Sequence, residues 1–454
     1  MKDRLHEALK RSTADYAEIR FETLDTTGLG YRGREVEQAA TSRFAGGIVR
    51  ACTKGGWGLA TFETLDDLPR KVEEACRCAA LVGKDTTQLA EAGAPSDAEI
   101  RAEMVRDFRG VPLDEKLKLV TAYNDIILQT DPAIESTRVI YNDSFRTVHF
   151  ASSQGACFME ERPYVMLLLM AVARDGSLVQ RALDSVSSAV DYGAVLGLET
   201  TADEVARRAV DLLKAPTCEG GTCTVLLNQM LGGVFAHEAF GHLSEADFLY
   251  ENEKMRELMH LGRPMGVPAL NIVDDGSLGR SIGTHRFDDE GTPTGKTYLI
   301  QEGVLAGHLH SRETAAKMGA RPTGNARAER RDVPPIVRMT NTYIENGDQS
   351  FEQLIAGIDR GIYAIDNIGG QTMLEMFTFS AAYGYRIENG KVCELIRDVT
   401  LSGNVFETLN RIDGFGNDLH IVEKGGACGK YGQAAPVTFG APHLRIRDVV
   451  VGGQ

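Results

Sequence analysis

The chain has 454 residues, 64 of them acidic and 49 basic, for a net charge of −15. That length is enough for two or three domains with sizeable cores. The acidic balance argues against direct nucleic-acid binding, which needs a surplus of Lys and Arg to displace phosphate counterions. No run of about eighteen apolar residues occurs, and Met1–Lys10 is too polar for a secretory leader, so neither a membrane span nor export is expected. The cysteines at 52, 76, 78, 157, 218, 223, 393 and 428 then read as reduced thiols, and the expected location is cytoplasmic. Glycine, at 48 residues, exceeds its usual share of ~7 % and points to many turns and much β-structure.

Residues 1–84 read as an N-terminal α/β subdomain. A helix over Lys2–Arg11 leads to a strand near Tyr16–Glu22. A hairpin then pairs Gly47–Cys52 with Trp57–Phe62 across Gly55 and Gly56. Leu65, Leu68, Val72, Ala75 and Ala79 keep helical spacing. Residues 85–111 form a loop or linker, richest in Ala, Gly, Thr and acidic side chains over Asp85–Glu103. Residues 112–217 form a central α/β subdomain. Its helix Pro112–Gln129 opens with Asp114 and Glu115 at the positive end. Strands Ser136–Asn142, Thr147–Ser153, Ala156–Glu161 and Tyr164–Arg174 follow as an antiparallel meander, and a helix over Thr201–Lys214 closes the unit.

Residues 218–454 form a β-rich C-terminal domain. It opens with a strand over Thr222–Leu227, enters a helix capped by Asn228, and continues after Pro268 as short strands and Gly-rich turns. Leu444–Val451 is the last strand. The expected fold is α+β, an α/β half with antiparallel strands followed by a β-rich half carrying a broken metal-binding helix.

That helix holds the chemistry. Val234–Ala246 places His237 and His242 around Glu238. Neutral imidazoles bind a borderline-soft cation, and a carboxylate beside the metal can take a proton from water. The familiar His-Glu-x-x-His pattern sets its ligands four apart on one helical face. Here they are five apart, which in a regular helix splays them by roughly 140°. The expectation is that Gly241 ends the helix and swings His242 back. A Ser244-x-x-Asp247 capping signal would then restart a helix over Phe248–Leu261. A catalytic zinc usually has three protein ligands. The residues leave Cys428, Glu245, Asp247 and the His308/His310 pair as candidates, with Asp247 assigned to capping and Glu245 held in reserve. Cys218 and Cys223 lack the second pair of a zinc knuckle.

The hexapeptide His-Glu-Ala-Phe-Gly-His resembles the His-Glu-x-x-x-His signature of the TldD/TldE (PmbA) metallopeptidase family, in its active TldD branch. Further segments agree in order: Phe287–Pro293, Leu299-Ile300 with Gly303–Leu305, Thr323–Asn325, Arg338–Thr342, Gly403-Asn404, and Cys428–Lys430 with Gly432-Gln433. The resemblance covers most of residues 220–454 and is looser before that. It implies a peptidase with Zn2+ held by His237, His242 and Cys428, and with Glu238 as the catalytic base. It also implies unfolded or small peptide substrates, and a homodimer or a heterodimer with a TldE-type paralogue. Members have been described as modulators of DNA gyrase, which for this acidic chain points to a protein substrate rather than DNA contact. Rival readings are a zinc hydrolase of a non-peptide amide and a non-catalytic binding subunit. Asp288–Glu290 reads either as a solvated turn or as a subsite for a substrate amine. Arg327, Arg330, Arg331 and Arg338 form a basic run suited to a peptide carboxylate or to that acidic cluster.

Overall fold

The computed structural model describes residues 1–93, 95–373 and 375–452; Ala94, inside the expected 85–103 loop, lies outside them. The N-terminal half is built on one sheet. Helix α1 (Lys2–Leu9) precedes the long strands β1 (Tyr16–Arg32) and β2 (Glu35–Thr53), then β3 (Gly56–Phe62) and helix α2 (Leu68–Val82). After the short β4 (Ala98–Ile100) come helix α3 (Leu113–Thr130), strands β5 (Ile134–Ser152), β6 (Cys157–Asp175) and β7 (Leu178–Ser188), and helix α4 (Glu199–Lys214). Strand order is β3-β2-β1-β5-β6-β4, with β7 also on β6, so one sheet takes strands from both sides of the 85–111 segment and, in β4, from that segment itself, which is therefore not all loop. Two apolar cores lie on it, one under α1 and α2, the other under α3 and α4.

The expected strands 136–142 and 147–153 are one strand, and so are 156–161 and 164–174. The polar residues between them do not interrupt pairing: Asp143 is 5 % exposed and accepts hydrogen bonds from Lys116 Nζ and Tyr141 Oη, both at 2.5 Å. A satisfied buried carboxylate can sit inside a strand.

The C-terminal half begins with β8 (Gly221–Leu227) and helix α5 (Gln229–Phe235). Its larger sheet runs Arg360–Met373, β8, Leu444–Gly452, Thr400–Asn404, Met376–Glu388, Lys391–Ile396. An added pairing between Arg360–Met373 and Met376–Glu388 closes this path on itself. A second, six-stranded sheet includes Ile272–Asp275, Asn341–Ile344 and Thr438–Ala441. Helix α5 packs against the last of these closely enough that a Cβ on Gly233 would stand 2.6 Å from Gly440 N. Mid-helix glycine costs about 1 kcal/mol, which here is offset by that approach. No helix of the described residues is long and apolar enough to cross a membrane.

The two halves meet across a buried ionic seam. Asp288, Asp289 and Glu290 are 1–3 % exposed, so this cluster is neither a solvated turn nor an open amine subsite. Asp288 accepts the N–H groups of Glu290, Thr292 and Ala326. Asp289 accepts from Arg162 of β6 at 2.9 Å, and Glu290 from Arg50 of β2 at 3.1 Å.

Candidate metal centre

Asn228 caps α5 by accepting the N–H of Leu231 at 3.0 Å. The helix does not stop at Gly241. It widens over Ala236–Gly241 into a π turn, in which the His242 N–H donates to the carbonyl of His237. Such an i→i+5 bond adds one residue to the turn, so positions five apart stack as positions four apart do in an α-helix. The two imidazoles end up on one side, their ring centroids 5.3 Å apart and nearly perpendicular.

This corrects the expectation of a break. Gly241 keeps right-handed helical angles, φ −56° and ψ −49°. Glycine is needed there for space, because a Cβ would fall 2.0 Å from Met339 Sδ. Downstream, a 3-10 turn at His242–Ser244 leads into two short helices, Ala246–Glu251 and Glu253–Leu258, not one helix through Leu261. Ser244 is not a cap, since its hydroxyl donates back to Phe240 O. Asp247 accepts its neighbour's N–H from Phe248 and pairs with Lys430 at 2.7 Å.

Cys428 arrives from far along the chain, on strand Ala427–Lys430, which forms a hairpin with Gln433–Pro436. Two members of the basic run hold that hairpin. Arg338, 1 % exposed, donates to the carbonyls of Cys428 and Gln433. Arg327 donates to those of Pro436 and Met339. Arg330 faces outward on Asp332, and Arg331 lies over the Phe44 ring.

The structure brings His237, His242 and Cys428 together, with one donor atom from each lying within 4.8 Å of the others. Cys428 Sγ is 3.1 Å from His242 Nε2. Glu238 stands beside them, its carboxylate 3.8 Å from the same nitrogen and its side chain 31 % exposed. The other candidates lie elsewhere. Glu245 is on the opposite nitrogen of the ring, 2.9 Å from His242 Nδ1. His308 bonds the Met259 carbonyl at 2.9 Å and His310 lies 3.3 Å from Thr314 Oγ1, so these two are satisfied core histidines.

The donor set fits a zinc ion. His237 is 3 % exposed and its Nδ1 is buried without a partner, a condition that asks for an explanation such as an ion. Burial pushes the Cys428 thiol up, but hydrogen bonding to His237 and His242 outweighs it and brings the thiol down to about 5. Burial likewise lowers His242, while Cys428 and Glu245 raise it to about 10. A mixed N/S triad with a thiolate suits zinc.

Three residues around the triad were not singled out for this role from the chain alone. Glu245 is 1 % exposed and sits between His242, Lys430 Nζ at 3.1 Å and Arg338 Nε at 4.0 Å. Burial would raise its carboxyl, yet the His242 hydrogen bond and the charges of His242, Lys430 and Arg338 hold it below its ordinary value. The signal for Lys430 was its spacing, two residues past Cys428 on a strand and therefore on the same face.

Comparison with known proteins follows the same lines. The PmbA/TldA metallopeptidase C-terminal domain matches residues 220–453, the central domain 106–213, and domain 1 residues 17–79. A metalloprotease of Synechocystis sp. is 44 % identical over 98 % of this chain and 96 % of its own length. A zinc metalloprotease TldD homolog of Saccharolobus solfataricus is 32 % identical over 71 % of this chain and 72 % of its own. In fold, the chain is similar to TldE from Thermococcus kodakarensis, with TM-score 0.78, 19 % identity and all of both chains covered. A Thermotoga maritima protein named for modulation of a DNA gyrase aligns at TM-score 0.81 and 23 % identity over 99 % of each chain. The chain belongs to the PmbA/TldD metallopeptidase family.

Proposed function

We propose that this protein is a zinc-dependent peptidase that hydrolyses unfolded or small polypeptides. The observation that carries this reading is the convergence of His237, His242 and Cys428 beside a partly exposed carboxylate. When bound, zinc supplies the Lewis acidity that makes water a nucleophile at neutral pH and polarises a carbonyl. The rest is done by the chain. His237, His242 and Cys428 would hold the ion, and Glu245 fixes the His242 ring by accepting a hydrogen bond from its Nδ1–H. Glu238 takes a proton from the attacking water at its carboxylate and passes it to the leaving amine.

Peptides bound as extended chains fit a β-rich half, where added-strand pairing recognises backbone whatever the sequence. The resemblance to the TldD branch favours a second subunit of TldE type, with a homodimer as the simpler assembly. Mass in solution, with and without such a paralogue, separates the two.

The test is Glu238→Gln, assayed on unfolded polypeptides and on small non-peptide amides. Zinc content by elemental analysis should match the wild type, and peptide turnover should fall about 10²–10⁴-fold, the usual weight of a general base. Unchanged turnover removes Glu238 from the mechanism. Wild-type protein that cleaves only the amides replaces the peptidase reading.

A further inference from the structure

A cavity of about 220 Å³ lies between the N-terminal sheet and the C-terminal half. None of His237, Glu238, His242 or Cys428 lines it. Ala435 and Pro436 do, from the strand that pairs with Cys428's. In a chain of net charge −15, this cavity is cationic. Arg101, Arg146, Arg162, Arg280 and Arg327 line it against three carboxylates.

Those carboxylates are already engaged. Asp289 accepts from Arg162 at 2.9 Å and from the Ala328 N–H at 2.8 Å. Glu160 accepts from Arg162 at 2.9 Å, and Glu161 accepts the Ala102 N–H at 3.0 Å. Arg327, only 4 % exposed, has no carboxylate of its own. It donates to two carbonyls and, at 3.1 Å, to His285 Nε2. A buried guanidinium with no carboxylate in contact is costly, and only Asp289 and Asp274 act on it, from farther off. Burial and the neighbouring Arg338 bring it down to about 10.

The second observation concerns His285. Arginine can only donate, so His285 Nε2 must accept and its proton sits on Nδ1. That Nδ1 is buried with no partner. The wall thus carries an unmet donor behind a guanidinium that no carboxylate contacts, and Arg280 is exposed at the rim.

We propose that this cavity binds a small oxyanion, gripped by the guanidiniums of Arg280, of Arg327 and of Arg146, which also donates to the Glu329 carbonyl and lies 3.7 Å from Glu22. Paired N–H donors of arginine match the oxygens of carboxylate or phosphate. The oxyanion comes either from the C-terminal carboxylate of a peptide or from free phosphate. Binding requires no turnover, so the site stands whether or not the metal centre is a peptidase.

Calorimetric titration of the full chain tests it with three probes: inorganic phosphate, a short peptide with a free C-terminus, and the same peptide amidated. Phosphate should bind one per chain, or the free-acid peptide should bind at least about tenfold more tightly than the amide, which keeps only its backbone contacts. Arg280→Gln, at the rim, should weaken binding about tenfold, the loss of one charge-assisted hydrogen bond. Arg146→Gln should act likewise. The proposal is overturned if neither anion binds at millimolar concentration, if free-acid and amidated peptides bind alike without phosphate binding, or if both variants bind as the wild type does.

Discussion

At the scale of single residues, the metal centre depends on which nitrogen of His242 is free. Glu245, ionised and buried, forces the proton onto Nδ1 and leaves Nε2 facing Cys428. Glu245→Gln keeps the shape but removes the charge and offers a competing N–H donor. Zinc affinity, measured by chelator competition, should fall about 10–100-fold, the usual effect of losing such a partner. Equal affinities would show that the ring is oriented by packing alone. The chain by itself marked Glu245 only as a reserve ligand. Residue type and spacing bring a carboxylate near the ring, but which nitrogen it meets depends on the turn in between. His237, Glu238 and His242 stood out because their types and closeness are local. Cys428 is 186 residues from His242 in sequence, and only the resemblance singled it out among the candidates.

Among the elements, the π turn is the device that makes a five-residue spacing workable. Gly241→Ala isolates it. Gly241 already has helical angles, so alanine carries no backbone penalty there, and the whole effect comes from the collision with Met339 Sδ. Overpacking of this kind costs about 1–3 kcal/mol, and here the ligand-bearing turn must move. The expected result is reduced zinc content together with a lower Tm. Adding Met339→Ala should restore zinc content even though it opens space elsewhere, since contacting residues couple. Full zinc content in the single variant would show that the turn tolerates displacement. The turn was hidden in the chain because glycine near a helix end ordinarily signals termination, whereas here it permits contact. The same limit applies to the long strands. Residues 35–45 of β2 are exposed on both faces, so no apolar alternation marks them. Conversely, the helices Leu113–Thr130 and Glu199–Lys214 were evident, because each buries one stripe against the sheet.

For the molecule as a whole, the ionic seam decides how the halves stay together, and its charges act with opposite signs on acid stability. Asp289 is buried, which raises a carboxyl, but Arg162 and Arg20 overcome this and hold it well below the ordinary carboxylate range. A depressed folded value means that its contribution is present above the unfolded pKa, near pH 4. That contribution is lost as pH falls toward the folded value. Asp288 is the reverse case: burial, then the Glu290 charge, raise it, so its contribution is present in acid and lost as pH rises. Asp289→Asn removes the first effect and leaves the second. Breaking a buried pair from one side costs about 3–5 kcal/mol, so the variant should melt well below the wild type at neutral pH. Below about pH 4 the two melting curves should begin to converge, because the wild type is then losing what the variant never had. Melting temperatures followed from neutral to acid pH test this. Curves that stay parallel throughout would mean that Asp289 joins the halves through shape rather than charge.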